Sequence, residues 1–182
     1  MTHAPTSAPQ RDPLAGLSIE LAGTGDLGTI AALATRIWRK HYPGIISQRQ
    51  IEYMLASRYS PDKLEAEAAK PGHSFLILRT AGTAIGYAAL AKADDAPHEL
   101  VLRSFYLDPE LHGQGYGRAF MTHIVELAQA RGFHEITLTV NRRNIKAINF
   151  YFKAGYTIRS AVDLAIGHGF TLDDFIMVAR LP

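Results

Sequence analysis

A glycine-rich stretch in the second half of the chain, Leu111-His112-Gly113-Gln114-Gly115-Tyr116-Gly117-Arg118, limits the possible folds more than any other part of the sequence. It lies between an apolar run that ends at Leu107 and an amphipathic run that begins at Ala119. This order predicts a strand, a tight loop and a helix. Glycine permits sharp turns and close approach of a ligand, and the first amides of a helix are unpaired donors. The stretch is therefore suited to bind an anionic phosphate.

Two common phosphate-binding loops do not fit these residues. A Walker loop requires Gly-Lys-Ser/Thr, whereas Gly117 is followed by Arg118-Ala119. A dinucleotide-binding loop requires a third glycine in place of Arg118 and an acidic residue about twenty positions further on. Asn141 stands there instead. A glycine-rich turn without a ligand is the remaining alternative for this stretch taken alone.

A second segment, residues 141–156, has the sequence Asn-Arg-Arg-Asn-Ile-Lys-Ala-Ile-Asn-Phe-Tyr-Phe-Lys-Ala-Gly-Tyr. Its start is polar and loop-like, and 145–154 is predicted to form a short helix closed by Gly155. Asn144 and Tyr151 are separated by nearly two helical turns, so they project from one face and can both reach an extended ligand. Alternatively, the Tyr151 ring packs on the sheet.

Together the two segments resemble the GNAT family of N-acetyltransferases. His112, Gly115 and Gly117 occupy the fixed places of its pyrophosphate loop, Arg/Gln-x-x-Gly-x-Gly/Ala, with histidine replacing the usual Arg or Gln. The segment from Asn141 resembles the family's Asn-x-x-Asn-x-x-Ala-x-x-Phe-Tyr-x-x-x-Gly-Phe/Tyr. The resemblance covers the C-terminal half and implies an α/β (α+β) fold. Its centre would be a mixed, mostly antiparallel, twisted sheet of six to seven strands, flanked by four to five helices.

The resemblance also implies acetyl-CoA as the acetyl donor, bound as a co-substrate. The residues implied for its pyrophosphate are His112, Gly113, Gln114, Gly115, Tyr116, Gly117 and Arg118. The pantetheine arm would insert beside a strand bulge and pair with the backbone of Phe105, Tyr106 and Leu107. Asn144 would help to hold this arm. Tyr151 would place its hydroxyl by the cofactor sulfur, where a phenol with a reference pKa of about 10 can protonate the thiolate.

The implied reaction is direct attack of a neutral amine on the thioester of acetyl-CoA, in a ternary complex. A protonated amine must first lose a proton, and Glu99, on the strand before the glycine loop, is the candidate general base. A merely exposed acidic strand end is the alternative explanation for Glu99. A CoA-binding regulatory module without transferase activity is the alternative to an enzyme, although such a module has no need of an acid at Tyr151.

The predicted acceptor is a primary amine of a small molecule, a polyamine or a peptide. Residues 167–174, Gly-His-Gly-Phe-Thr-Leu-Asp-Asp, resemble the tail of polyamine-type GNAT enzymes, in which a glycine-rich loop leads to an acidic pair. Acidic side chains near the acceptor would attract a cationic amine. A solvated turn is the alternative explanation for these residues.

Composition and motif spacing argue against other classes. A net charge of +2 without a long basic run does not support nucleic-acid binding. Neither a Gly-x-Ser-x-Gly hydrolase elbow nor a His-Glu-x-x-His motif occurs, so no metal is expected. No apolar stretch approaches the roughly 18 residues of a membrane span, so no membrane association is expected. The lack of cysteine and of a secretory signal fits a cytoplasmic protein.

One domain is expected, at residues 17–182, after a disordered proline-containing tail at 1–16. Apolar periodicity predicts helices at 26–42, 48–58, 62–70, 119–130 and 145–154. It predicts strands at 17–21, 73–79, 85–91, 98–107, 135–140, 156–162 and 175–180. The family resemblance also allows a homodimer that forms through sheet edges and C-terminal strands.

Overall fold

The structure, a computed structural model, describes residues 14–182, and most of the predicted disordered tail lies outside this range. The strands are β1 (Leu17–Leu21), β2 (His73–Thr80), β3 (Thr83–Lys92), β4 (Glu99–Leu107), β5 (Glu135–Asn141), β6 (Thr157–Gly167) and β7 (Phe170–Arg180). The helices are α1 (Leu27–His41), α2 (Gln48–Tyr59), α3 (Pro61–Ala68), α4 (Tyr116–Ala130) and α5 (Ile145–Lys153).

The strands form one sheet in the order β1-β2-β3-β4-β5-β7-β6. Neighbouring strands are antiparallel except for β4 and β5, which are parallel. A parallel pair needs a crossover connection, and α4 supplies it. The predicted mixed, mostly antiparallel sheet flanked by helices is confirmed.

The two faces of the sheet are covered by different helices because side chains alternate along each strand. In β2, Leu76 and Leu78 join the cluster that packs under α4 and α5, and Phe75 joins the cluster under α1 to α3. Helix α1 ends before Pro43-Gly44, and Gly44 has a φ of 85°. Helix α2 starts after Ser47, whose hydroxyl caps the helix by accepting from the Gln50 amide at 3.2 Å.

Strands β4 and β5 are paired at one end only. Their pairing starts at Glu99 with Glu135 and stops at Val101 with Thr137. Just beyond, Ala89 of β3 pairs with Ser104 and Leu90 with Leu102, which leaves Arg103 as an extra residue in β4. A bulge of this kind bends its strand, so β4 turns away from β5 and the centre of the sheet opens.

The last two strands are longer than the sequence predicts. Pairing continues to a tight turn at His168-Gly169, and positive φ angles at Gly167, His168 and Gly169 (87°, 53° and 78°) permit it. The polar residues between 163 and 174 had indicated a loop. Asp163 and Asp173 in fact face each other across β6 and β7, and Arg142 contacts both carboxylates at 2.5 and 2.7 Å, which offsets their repulsion.

Candidate active site

A cleft of about 1170 Å³ lies where β4 and β5 separate. Its walls come from α1 and α2 on one face of the sheet and from α4 and α5 on the other. Most of the residues predicted for the site line it, namely Phe105, Tyr106, Leu107, His112, Gly113, Gly115, Gly117, Arg118, Asn144 and Tyr151. Pockets for small ligands usually have about 300–1,000 Å³. This cleft has room for a large ligand and a second molecule beside it.

The glycine loop has the conformation that its sequence requires. Gly113 and Gly115 have φ angles of 84° and 91°, which side chains of L residues rarely adopt. Gly115 precedes α4, and its carbonyl accepts the Ala119 amide at 3.0 Å. The amides of residues 116–118 come before this first helical bond and are available as donors.

Two loop residues predicted for the cofactor do not present side chains to the cleft. The Tyr116 ring is buried in the core beneath α4, so only its backbone amide is available. Gln114 is exposed and lies outside the cleft lining. At Gly117 a Cβ atom would lie 3.4 Å from the Phe150 ring, so this glycine allows α4 and α5 to pack closely.

Charge near the loop comes from other residues than His112. Its Nε2 donates to the Leu107 carbonyl at 3.2 Å, which ties the loop to the end of β4. Burial, and then the positive charge of Lys146, lower the His112 pKa, so its ring is neutral at pH 7. Arg118 and Lys146 are exposed and line the cleft, so both are available to an anionic ligand near the loop.

Arg142 and Arg143, which lie close to Lys146 in the sequence, make contacts elsewhere. Arg142 pairs with the acidic residues of the last hairpin. Arg143 donates to the Gly44 carbonyl at 2.9 Å, across from α5 to the loop between α1 and α2. These two arginines therefore stabilise the wall of the cleft. Among Arg142, Arg143 and Lys146, within the described chain, only Lys146 lines the cleft itself.

The free edge of β4 offers two backbone positions to the cleft. The Tyr106 carbonyl faces β3, where a Cβ on Gly86 would lie 2.7 Å from it. The Leu107 carbonyl faces the opposite way, toward His112. Because backbone polar groups alternate in direction along a strand, Phe105 and Leu107 point theirs to the cleft and Tyr106 does not. The structure therefore favours Phe105 and Leu107 over Tyr106 for the predicted backbone contacts.

Asn144 and Tyr151 both line the cleft, on the same side of α5. Asn144 is the N-cap of α5, with its Oδ1 accepting the Ala147 amide at 3.3 Å and its Nδ2 donating to His41 Nε2 at 3.0 Å. Tyr151 is 8% exposed, and its hydroxyl has no hydrogen-bond partner within residues 14–182. Burial raises the pKa of Tyr151, so the phenol keeps its proton at neutral pH.

Glu99 lies at the closed end of the β4 and β5 pair and does not line the cleft. Its carboxylate accepts from Thr137 Oγ1 at 2.7 Å and pairs with Arg159 at 2.8 Å. Burial raises the Glu99 pKa, but the hydrogen bonds from Arg159 and Thr137 outweigh this effect and the net shift is downward. A general base needs access to substrate and an available proton site, so this geometry does not support the predicted role.

Of the acidic pair that the sequence suggests for the acceptor, Asp174 is the residue that lines the cleft. It is 7% exposed, and its nearest hydrogen-bond donor is Asn141 Nδ2 at 3.5 Å. Burial raises the Asp174 pKa more than Asn141 and Arg58 lower it. Its neighbour Asp173 points to the other face of β7, toward Arg142. Alternation along a strand would have separated the two residues, had this segment been recognised as a strand.

Aromatic rings form the wall beside Asp174. The hydroxyls of Tyr42 and Tyr106 are 2.9 Å apart, and the Trp38 ring lies 4.4 Å from the Tyr42 ring and 5.6 Å from the Tyr106 ring. All three residues line the cleft. Such a wall suits a cationic group, since aromatic faces attract cations.

The geometry of this cleft agrees with a family comparison. Residues 34–156 match the family model described as Acetyltransferase (GNAT) family. The chain belongs to the GNAT family. The matched range extends from α1 to the residue before β6, so it contains the glycine loop and both walls of the cofactor side.

Several N-acetyltransferases are similar to this chain over most of its length. A spermidine N(1)-acetyltransferase of Thermoplasma acidophilum is 30% identical over 146 residues, which cover 78% of this chain and 86% of the relative. An uncharacterised N-acetyltransferase of Mycobacterium tuberculosis is 28% identical over 156 residues, covering 86% and 98%. The crystal structure of the PaiA N-acetyltransferase from T. acidophilum, in complex with coenzyme A, has a TM-score of 0.76 at 26% identity and covers 90% and 98%.

GNAT membership establishes the reaction class. The chain is an N-acetyltransferase that depends on acetyl-CoA, as the sequence predicts. Within residues 14–182 no helix is long and apolar enough to cross a membrane. The same part of the chain contains no group of three or more His, Cys, Asp or Glu side chains arranged to hold a metal ion.

Proposed function

We propose that this enzyme transfers the acetyl group of acetyl-CoA directly to the primary amine of a small molecule or peptide, in a ternary complex. One observation is the main support for this proposal. The same cleft contains a protonated phenol without a partner, Tyr151, and a buried carboxylate with one long hydrogen bond, Asp174. A reaction that removes a proton from an amine and gives one to a thiolate needs such a pair.

The donor half of the cleft fits acetyl-CoA as a substrate. The free amides at the start of α4 and the cations of Arg118 and Lys146 suit its pyrophosphate. The unpaired β4 edge, with the backbone of Phe105 and the amide of Leu107, suits the amides of its pantetheine arm, beside Asn144. A β4 backbone amide would also stabilise the oxyanion that develops on the thioester carbonyl.

The acceptor half fits an ammonium group. Asp174 would hold it by charge attraction, and the rings of Trp38, Tyr42 and Tyr106 would add cation-π attraction. A buried carboxylate with a raised pKa is also a stronger base than an exposed one, so Asp174 is a better proton acceptor than Glu99. Both roles require the carboxylate to be ionised before the amine binds.

The proton transfers balance with these two groups. The ammonium gives one proton to Asp174, and the neutral nitrogen attacks the thioester carbon. As the C–N bond forms and the C–S bond breaks, Tyr151 protonates the departing thiolate. The nitrogen loses its second proton, which restores Tyr151, and Asp174 passes its proton to water. The products are the acetylated amine, CoA thiol and one proton.

The test is amine-dependent release of CoA thiol from acetyl-CoA, with Tyr151→Phe beside the wild type. We expect Tyr151→Phe to lower kcat at least tenfold with little change in acetyl-CoA affinity, because a general acid contributes about 10²–10⁴-fold. Tyr156→Phe is the matched control, since this buried hydroxyl contacts Met121 Sδ at 3.5 Å and does not line the cleft. Unchanged kcat in Tyr151→Phe would remove Tyr151 from the mechanism.

The domain limits, the oligomeric state and the location stay predictions. We propose a single GNAT domain at 17–182, a homodimer and a cytoplasmic enzyme. Sedimentation of the purified chain tests the dimer, and limited proteolysis tests the domain boundary. A monomer at all concentrations would exclude the dimer.

A further inference from the structure

The acceptor end of the cleft carries a positive charge that the proposed reaction does not use. Arg58, in the last turn of α2, and Arg103, at the β4 bulge, both line the cleft. Arg103 is paired with Glu67 at 2.9 Å. Arg58 is exposed and makes no hydrogen bond or ion pair within residues 14–182. Its guanidinium is therefore available to a ligand.

Arg58 and Asp174 face the same space without pairing. Helix α2 lies against β7 at this wall, since Gln50 Nε2 donates to the Thr171 carbonyl at 3.1 Å, and Arg58 and Asp174 line the same cleft. No ion pair joins Arg58 to Asp174 in the described chain, and the Asp174 carboxylate keeps a raised pKa. A cation site and an anion site thus lie close together at one end of the cleft, each without its counter-ion.

This charge pattern does not suit a polyamine. Among residues 14–182, Asp174 is the one acidic side chain that lines the acceptor end, since the other in the lining, Glu126, belongs to α4 on the donor side. A diamine that places one ammonium at Asp174 directs its second ammonium toward Arg58 or Arg103. Like charges in a partly desolvated site repel one another strongly.

We propose that the acceptor is a primary amine that also carries a carboxylate, with its ammonium at Asp174 and its carboxylate at Arg58. This acceptor class rests on the proposed function and narrows it. Arginine pairs with a carboxylate through two parallel hydrogen bonds, which fixes orientation as well as position. Held at both ends, the amine is directed at the thioester, and such orientation is a large part of the rate of a bimolecular reaction.

Three amines of equal chain length test the proposal, namely 4-aminobutyrate, butylamine and 1,4-diaminobutane. They share the attacking nitrogen and differ only in an anionic, neutral or cationic far end. We expect kcat/KM to fall in that order, with at least about a tenfold step from the first to the second, the effect of one charged hydrogen-bonded pair. Leucine and 3-methylbutylamine form a second pair, in which the carboxylate stands on the carbon next to the amine or is absent. Comparing the two pairs shows whether the acceptor is an α-amino or an ω-amino acid.

Variants of Arg58 separate this acceptor class from the proposed function. Arg58→Ala should lower kcat/KM for the amino acids about tenfold to a hundredfold more than for butylamine, and Arg58→Glu should favour 1,4-diaminobutane. Arg49→Ala is the matched control, because Arg49 lies on the same helix, outside the cleft lining, over the Phe170 ring. It should change none of these ratios.

Two different failures can be told apart. The acceptor class is overturned, and the transferase activity stands, if kcat/KM of the wild type for 1,4-diaminobutane or butylamine equals that for 4-aminobutyrate and leucine. The same holds if Arg49→Ala changes these ratios as much as Arg58→Ala does. If no amine of any charge releases CoA thiol, the proposed function fails and the acceptor class fails with it.

Discussion

The two halves of the cleft are built from different parts of the chain. The donor half is mostly backbone, with the β4 edge, the glycine loop and the first turn of α4 supplied by residues 105–118. The acceptor half is mostly side chains, and Trp38, Tyr42, Arg58 and Asp174 come from α1, the residue after it, α2 and β7. A local stretch of sequence thus determines the first half, and tertiary packing determines the second.

This difference predicts how substitutions act. In the donor half the ligand would be held by amides, which every residue other than proline possesses, so only changes of backbone conformation should be severe. In the acceptor half each side chain supplies one charge or ring, so replacing it should change kcat or acceptor choice and leave acetyl-CoA affinity unaltered.

The largest effect is expected at the glycine loop. Gly115→Val should weaken acetyl-CoA binding at least about a hundredfold, because valine at a φ of 91° is strained and the loop would move to relieve it. Calorimetric titration with acetyl-CoA measures the loss. Gly132→Val is the control, since Gly132 has a similar φ of 77° after α4 but lies outside the cleft. Equal affinity in Gly115→Val and the wild type would show that the loop backbone does not hold acetyl-CoA.

The sequence predicts the donor half well because its signals are contiguous. Glycines between a strand and a helix determine the loop, and the spacing of Asn144 and Tyr151 determines their shared face. Tyr116 and Tyr106 show the limit of such signals. Which way a ring or a carbonyl points depends on helix start and strand pairing, and the bulge at Arg103 that opens the sheet leaves no mark in composition.

The acceptor half was predicted poorly for a physical reason. The polar run at 163–174 is typical of a loop, but Arg142 neutralises its facing carboxylates and allows a long hairpin. Once Asp174 is on a strand, its side chain points to the cleft and that of Asp173 points away. The sequence suggests that Asp173 and Asp174 lie near a cationic amine, but only the register of the hairpin identifies Asp174 as the buried one.

Asp174→Asn tests the acceptor half of the cleft. We expect kcat/KM for the amine to fall about a hundredfold, the contribution of a general base, with acetyl-CoA affinity unchanged. Asp173→Asn, one residue away on the other face, is the control and should retain wild-type kinetics. Loss of acetyl-CoA binding in Asp174→Asn would show that the two halves are not independent.

The same substitution has a pH-dependent effect on stability. Burial raises the Asp174 pKa in spite of Asn141, Arg58 and Arg142, with Asp173 raising it further, so the folded state favours the protonated form. Stability from this proton is present below the unfolded pKa of about 3.9 and is lost as pH rises through the folded value. Asparagine does not titrate, so the Tm of Asp174→Asn relative to wild type should rise from pH 4 to pH 8. If the fold instead stabilised the charged form of Asp174, the Tm of Asp174→Asn relative to wild type would fall over this pH range.

Glu99→Gln has the smallest expected effect on kcat. It tests whether Glu99 or Asp174 is the general base. Glu99 is paired with Arg159 at the closed end of the sheet, so kcat should stay within about twofold of wild type. The pair is partly exposed, with side chains 18% and 39% accessible, and its loss should cost about 0.5 kcal/mol of stability at pH 7. Salt should reduce that cost.

The pH dependence of Glu99→Gln should be the reverse of that of Asp174→Asn. The net Glu99 pKa is lowered, since the hydrogen bonds from Arg159 and Thr137 outweigh burial. Stability from its charge is therefore present above the unfolded pKa of about 4.3 and is lost as pH falls through the folded value. The Tm difference between wild type and Glu99→Gln should shrink below about pH 4. A tenfold fall in kcat at neutral pH with intact acetyl-CoA binding would instead return the general base to Glu99 and leave Asp174 as an anchor for the amine.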